Sequence, residues 1–153
     1  SAATCDWADL LLPATTWGEK EGTVTNSERR ITRVRAAVPP PSAGDEAPRH
    51  DWQIAVNLGR RLEQRLPARA PTTLFPYETP EQIWNEHRES TRGRDLDITG
   101  LSYAQLDAAP QQWPLPEGQA HNAERLYTDG VYPTADGRAR FAALPYTPLA
   151  EER

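Results

Sequence analysis

The stretch Trp17-Gly18-Glu19-Lys20-Glu21-Gly22-Thr23-Val24-Thr25-Asn26-Ser27-Glu28-Arg29-Arg30 constrains the fold more than any other. Its β-branched segments Gly22-Thr23-Val24-Thr25-Asn26 and Arg30-Ile31-Thr32-Arg33-Val34 flank a polar turn, which predicts a small β-hairpin. Just upstream, Ala8-Asp9-Leu10-Leu11-Leu12-Pro13 is a short apolar run stopped by proline. That pattern predicts one buried core strand of a parallel sheet, delivering the chain to a loop at the sheet's carboxyl edge. Open α/β sheets bind their ligands at that edge.

Downstream, Val38-Pro39-Pro40-Pro41-Ser42-Ala43-Gly44 is a stiff connector with little capacity for helix or ladder. Asp51 then opens the best helix, in which Trp52, Ala55, Val56, Gly59, Leu62 and Leu66 recur at helical spacing until Pro67. Thr79-Pro80-Glu81-Gln82 is a capping box with proline at the first helical position, so a second helix starts there and ends near Gly93. Ser102 and Gln105 cap a short third helix, with Leu101 and Leu106 placed as a hydrophobic staple and Pro110 as its stop. Beyond it, Arg125-Leu126-Tyr127 and residues 131–141 carry Asp-Gly turn signals at 129–130 and 136–137, which predict one or two terminal hairpins. Pro133 would keep its strand at an edge.

Composition sets limits on what such a chain does. Leu, Ile, Val and Phe make up 25 of 153 residues, under the roughly 20% at which independent folding becomes doubtful. With no Met, 15 Pro and a mean hydropathy of −0.75, the chain reads as an excerpt whose apolar faces a larger body completes. Five Trp and a net charge of only −5 argue against plain disorder. The lone Cys5 supports neither a disulfide framework nor a structural metal site, and reads as a small hydrophobe beside the first strand. No apolar run reaches the ~20 residues of a membrane span. The acidic excess argues against nucleic acid, because the densest basic cluster, Arg29, Arg30, Arg33 and Arg35, has no interleaved aromatics.

The segment from Ala8 through Trp17-Gly18-Glu19-Lys20-Glu21-Gly22-Thr23 to Asn26-Ser27-Glu28-Arg29-Arg30 resembles the molybdopterin oxidoreductases of the dimethyl-sulfoxide-reductase family. The likeness continues through most of the chain. Residues 83–91 and 93–103, Gln112-Trp113-Pro114 and residues 136–141 are similar to the catalytic subunit of an assimilatory nitrate reductase, and formate dehydrogenases share these landmarks more loosely. The implied fold is an incomplete α/β fragment with one core strand, a β-hairpin, two to three helices and a C-terminal hairpin. Its expected divisions are the end of a nucleotide-binding α/β domain (1–38), a Pro-rich connector (39–50), a helical segment (51–110), and a loop with hairpin leading to a further domain (111–153).

The resemblance also implies cofactor contacts for two residues. In the family, the lysine of the Glu-Lys-x-Gly-Thr stretch meets one molybdopterin guanine dinucleotide, and here it is Lys20. The aspartate of an Asp-Trp-x-Ile pattern is a second contact, and here it is Asp51. An ammonium suits the dinucleotide's phosphates, and a carboxylate accepts paired N–H bonds from a guanine edge. By residue type alone, Asp51 reads as a helix N-cap and Lys20, between Glu19 and Glu21, as a solvated charge. Glu28, Arg29 and Arg30 are as well explained by ion pairing as by a ligand.

No catalytic constellation and no metal site is expected. His50, His87 and His121 lack metal-ligand spacing, and no nucleophile elbow or phosphate loop is present. The whole enzyme implied is cytoplasmic and reduces nitrate to nitrite at a molybdenum bis(molybdopterin guanine dinucleotide). Its electrons come from a donor protein or domain through an iron–sulfur cluster whose ligands are not in this chain. The expected partner is the rest of the same polypeptide, with no nucleic acid and no membrane, and the fragment alone should be inactive. A formate dehydrogenase or other family oxidoreductase, and a cofactor-free structural or interaction module, are the alternatives.

Overall fold

A computed structural model describes residues 2–41, 47–66, 73–148 and 150. The chain divides into two units, Ser1–Asn122 and Ala123–Arg153. In the first, β1 (Gly22–Thr25) and β2 (Arg30–Val34) form the expected hairpin, with Gly22 opposite Val34 and Thr25 opposite Ile31. Asn26 organises its turn, because its side-chain oxygen accepts the backbone N–H groups of both Glu28 and Arg30 at 3.0 Å. Arg29 then takes a left-handed backbone (φ 62°) to complete the reversal.

The core forms on β2. Ile31 from that strand packs with Trp84 of α2 (Pro80–Ser90), with Tyr103 and Leu106 of α3 (Tyr103–Ala108), and with Ile98, Leu101 and Leu115 from the connections. Thr79 and Ser102 accept the N–H groups of Gln82 and Gln105, so both capping boxes are real. Leu101 and Leu106 are both buried in that core, where the staple reading puts them. The Trp84 indole N–H donates to the carbonyl of Leu101 at 2.7 Å, which satisfies the one polar atom that this ring buries. Strand β3 (Gln111–Gln112) joins the free edge of β2 antiparallel, giving the order β1-β2-β3. Trp113 and Arg29 lock that junction: the Trp113 N–H reaches the Arg29 carbonyl at 2.9 Å, and the Arg29 guanidinium donates to the Trp113 carbonyl.

The helix expected from Asp51 is α1 (Asp51–Arg65); Pro67 lies outside the described residues. It turns Val56 and Gly59 inward, and a Phe75 ring lies directly over Gly59.

The small α/β class holds, but two expected elements differ. Residues 8–13 do not form a strand. They make no ladder among the described residues, and Leu10, Leu11 and Leu12 are exposed. Their one sheet-like feature is next door, where Ala14 forms a parallel bridge with Arg49. A strand needs neighbours on its edges, and among the described residues the segment has only this one pairing. Cys5, accordingly, sits half-buried in a 3₁₀ turn, Ala3–Trp7.

The second unit has turns where a terminal hairpin was expected. The Tyr132 N–H reaches the Gly137 carbonyl at 2.9 Å and Asp136 accepts from Arg138, yet no strand pair follows. Pro133 withholds a ladder donor, and Phe141, Leu144 and Tyr146 are almost fully exposed, so no buried face selects a register.

Candidate functional site

The parallel bridge positions the site. The Thr15 N–H donates to the Arg49 carbonyl (3.0 Å) and the Arg49 N–H to the Pro13 carbonyl (3.1 Å), so the chain returns from the proline connector alongside residues 13–15. It must therefore start α1 beside the 3₁₀ turn Trp17–Glu19. That turn is fixed by Glu19, whose carboxylate accepts the Thr16 N–H at 2.8 Å. It is fixed again by Gly18, whose carbonyl accepts the N–H groups of Ala37 and Val38.

The two residues singled out by the sequence meet here. Lys20 Nζ donates to Asp51 Oδ2 at 2.5 Å across 31 residues. The pair is asymmetric, with the lysine side chain 20% exposed and the aspartate 65%. Lys20 also lies 4.9 Å from the centroid of the Trp17 ring. The hydrogen bond from Lys20 holds the Asp51 carboxyl below the usual carboxylate range. Lys20 is the only lysine among 153 residues, against sixteen arginines. Its compact ammonium fits between a carboxylate and an indole, where the broad guanidinium of arginine would need more room.

Asp51 is not the N-cap. His50 holds that position and its N–H is bonded by the Gln53 side chain at 3.1 Å, so Asp51 is the first helical residue, with its side chain turned to Lys20. A carboxylate in the first turn is favoured by the helix dipole without being consumed by capping. Its carboxylate is thereby left to pair with Lys20 at the cleft.

That cleft, of about 210 Å³, is lined by Trp17, Lys20, Gly22, His50, Asp51 and Trp52, among others. Thr15 Oγ1 fixes the His50 ring through Nδ1 at 3.0 Å, and the ring stacks on Trp52 with centroids 6.4 Å apart and planes 17° apart. The Trp52 Nε1 hydrogen is buried and no described residue accepts it. A buried donor without an acceptor is costly, which makes Trp52 Nε1 a locally unsatisfied point of the packing beside the cleft. The neighbouring loop is braced from the core side. Arg33, whose side chain is 9% exposed, donates to the Glu21 carboxylate at 2.8 Å and the Gly22 carbonyl at 3.1 Å while its guanidinium lies 3.9 Å over the Tyr103 ring.

Sequence reasoning named Lys20 and Asp51 but passed over the aromatic lining. The signal was available in Trp17, which opens the charged motif, and in the adjacency of His50, Asp51 and Trp52. Glu28, Arg29 and Arg30 serve the hairpin, with Arg30 3.7 Å from Glu28 and Gln112 Nε2 donating to the Glu28 carbonyl at 2.9 Å. His87 tilts against Trp84 within α2. Among the described residues no group of three or more His, Cys, Asp or Glu side chains could hold a metal ion. No helix among them is long and apolar enough to cross a membrane.

Residues 1–61, which contain the whole cleft, match the family model of the molybdopterin oxidoreductases. The chain is 37% identical to the assimilatory nitrate reductase of Haloferax mediterranei and 39% identical to a nitrate reductase of Synechocystis. It is 32% identical to the alpha subunit of the F420-dependent formate dehydrogenase of Methanocaldococcus jannaschii. Each match covers 97% of this chain and 20% of the relative. The chain thus spans about a fifth of the length of these curated relatives, and it belongs to the molybdopterin oxidoreductase family.

Proposed function

We propose that this chain supplies part of the guanine dinucleotide site of a molybdenum enzyme that reduces nitrate to nitrite. The observation that carries the reading is the convergence of Lys20 and Asp51, from segments 31 residues apart, on one aromatic cleft. The donor set suits such a ligand. Lys20 offers an ammonium to phosphate oxygens and Asp51 a carboxylate to paired N–H groups. At about 210 Å³ the cleft is smaller than the roughly 300 Å³ at which sites for drug-sized ligands begin, so it takes one end of a dinucleotide. Lys20 and Asp51 neutralise each other in this pair, and a ligand presenting both anionic oxygens and N–H donors offers each a further partner.

When bound, the molybdenum supplies the two-electron exchange that converts nitrate and two protons to nitrite and water. This chain's residues hold and orient the nucleotide end. Cys5 alone cannot ligate an iron–sulfur cluster, so the cluster draws its ligands, and the bis-dinucleotide assembly its remaining contacts, from elsewhere in the protein. The remainder of the polypeptide and an electron-donor protein or domain are the partners of this reading, and an assimilatory role brings with it a cytoplasmic location.

Nitrate as substrate is supported by the nitrate reductases among the relatives; formate is the second reading, supported by the formate dehydrogenase match. Substrate competition on the complete protein with a reduced viologen donor tests it. Nitrate consumption is expected, and formate turnover without nitrate turnover would replace the proposal by the second reading.

A further inference from the structure

The cleft has a large aromatic surface beside its ion pair. Trp17 is 66% exposed, although its indole is among the most apolar groups of the first unit, and it lines the cleft together with Asp51. It is not a fold element in the ordinary sense. The 3₁₀ turn that carries it is closed by backbone bonds and by Glu19, and Trp17 takes no part in the hydrophobic core. Lys20, 4.9 Å from the ring centroid, sits between this indole and the Asp51 carboxylate. A flat π surface beside a carboxylate and an ammonium has the three parts that recognise a purine nucleotide: a face for the base, an acceptor for its N–H edge and a cation for its phosphates.

We propose that Trp17 is the stacking platform for the guanine base, a ligand-binding residue additional to Lys20 and Asp51. The inference rests on the guanine dinucleotide reading above and deepens it. Stacking is tolerant of which base lies on the ring, so Trp17 supplies affinity while Asp51 supplies selection. Because the indole takes no part in the hydrophobic core of the first unit, replacing it leaves that core intact.

The test uses the complete protein, stripped of cofactor, with guanosine diphosphate as the probe. Its dissociation constant is measured by equilibrium dialysis for the wild type and for Trp17→Leu, Trp17→Phe and Lys20→Ala, beside each variant's thermal midpoint. Trp17→Leu should weaken binding roughly five- to hundredfold. Trp17→Phe, which keeps an aromatic face, should restore most of it, and the midpoints should coincide. If Lys20→Ala weakens binding and Trp17→Leu does not, the platform is wrong and the dinucleotide reading stands. If neither variant weakens it, or the wild type does not bind, both fall. Equal losses in Trp17→Leu and Trp17→Phe with a lowered midpoint would make Trp17 a structural residue and overturn the inference.

Discussion

Lys20 Nζ and Asp51 Oδ2 lie 2.5 Å apart, joining the end of a 3₁₀ turn to the first residue of α1. The aspartate is largely in water, so the pair contributes little to folding, within about 1 kcal/mol. Its carboxyl is held low by Lys20, so whatever stability it gives is complete above the unfolded pKa of about 3.9 and is lost as pH falls through the lower folded value. Lys20→Ala and Asp51→Asn should therefore leave the stability of the cofactor-free protein nearly unchanged at pH 7. Each should cost about 1.5 to 3 kcal/mol in ligand binding, a ten- to hundredfold loss. Molybdenum and pterin content of the purified protein checks this. Full content in Asp51→Asn would remove Asp51 from the ligand set, leaving it only a favourable charge on the helix dipole.

Asp97 is a buried carboxylate of the first unit and anchors the loop between α2 and α3. One oxygen accepts the Gly93 N–H at 2.8 Å; the other accepts the Thr99 N–H at 2.8 Å and its hydroxyl at 2.6 Å. Burial works against the charge, but the bonds from Thr99 and Gly93 outweigh it and hold the carboxyl below its ordinary range. Asp97→Ala strands these donors and should cost about 1 to 3 kcal/mol. The sign follows from the lowered pKa: the charged form stabilises fully above about pH 4 and fades below it. Denaturant titrations of wild type and Asp97→Asn at pH 7 and pH 3 should show the gap between them narrowing at the lower pH. A gap independent of pH would assign the effect to shape instead of charge.

The elements that were legible in the sequence are those whose signals are local. Thr79 with Gln82 and Ser102 with Gln105 are three residues apart, and Asn26 closes its own turn, so none of them depends on what lies elsewhere. The leucines at 10, 11 and 12 depend on a neighbour, and with one pairing near Ala14 they stay out of a ladder. Val131 to Phe141 had turn signals but no partner face, and turns are what formed. The same distinction runs through the site. Lys20 and Asp51 were identified by family resemblance, but their contact depends on how the proline connector returns beside Thr15, which periodicity does not encode. The unpartnered Trp52 N–H is likewise a property of packing.

Gly59 permits the close approach of Phe75 to α1. A Cβ there would lie 2.7 to 2.8 Å from three ring carbons. Alanine improves helix propensity by about 1 kcal/mol, whereas forcing a methyl into a packed contact costs about 1 to 3 kcal/mol. Gly59→Ala should therefore destabilise despite the better helix former. In a Phe75→Leu background the clash is relieved and the same change should stabilise. Thermal unfolding of the four proteins completes the cycle, and a stabilising Gly59→Ala in the wild-type background would show that the ring moves freely.

The remaining apolar surface leads to the last prediction. Leu10, Leu11, Leu12, Ile54 and Leu58 line a groove of about 590 Å³ along α1, and the three consecutive leucines are 72%, 57% and 53% exposed. Fully burying a leucine is worth about 1.5 to 3 kcal/mol, so this much uncovered surface is a large unspent contribution. The relatives are about five times longer than these 153 residues, and we propose that the rest of the polypeptide covers the groove. Leu58 separates the two situations, since it lies on the exposed side of α1 and glutamine keeps the helix propensity close to that of leucine. In residues 1–153 alone, Leu58→Gln should change stability by no more than about 0.5 kcal/mol, and that isolated chain should unfold over a broad range. In the complete protein the same substitution should cost about 1.5 kcal/mol or more, because the side chain is then buried. Denaturant unfolding of both pairs measures the difference, and an equally small effect in the complete protein would show that the groove stays open to solvent.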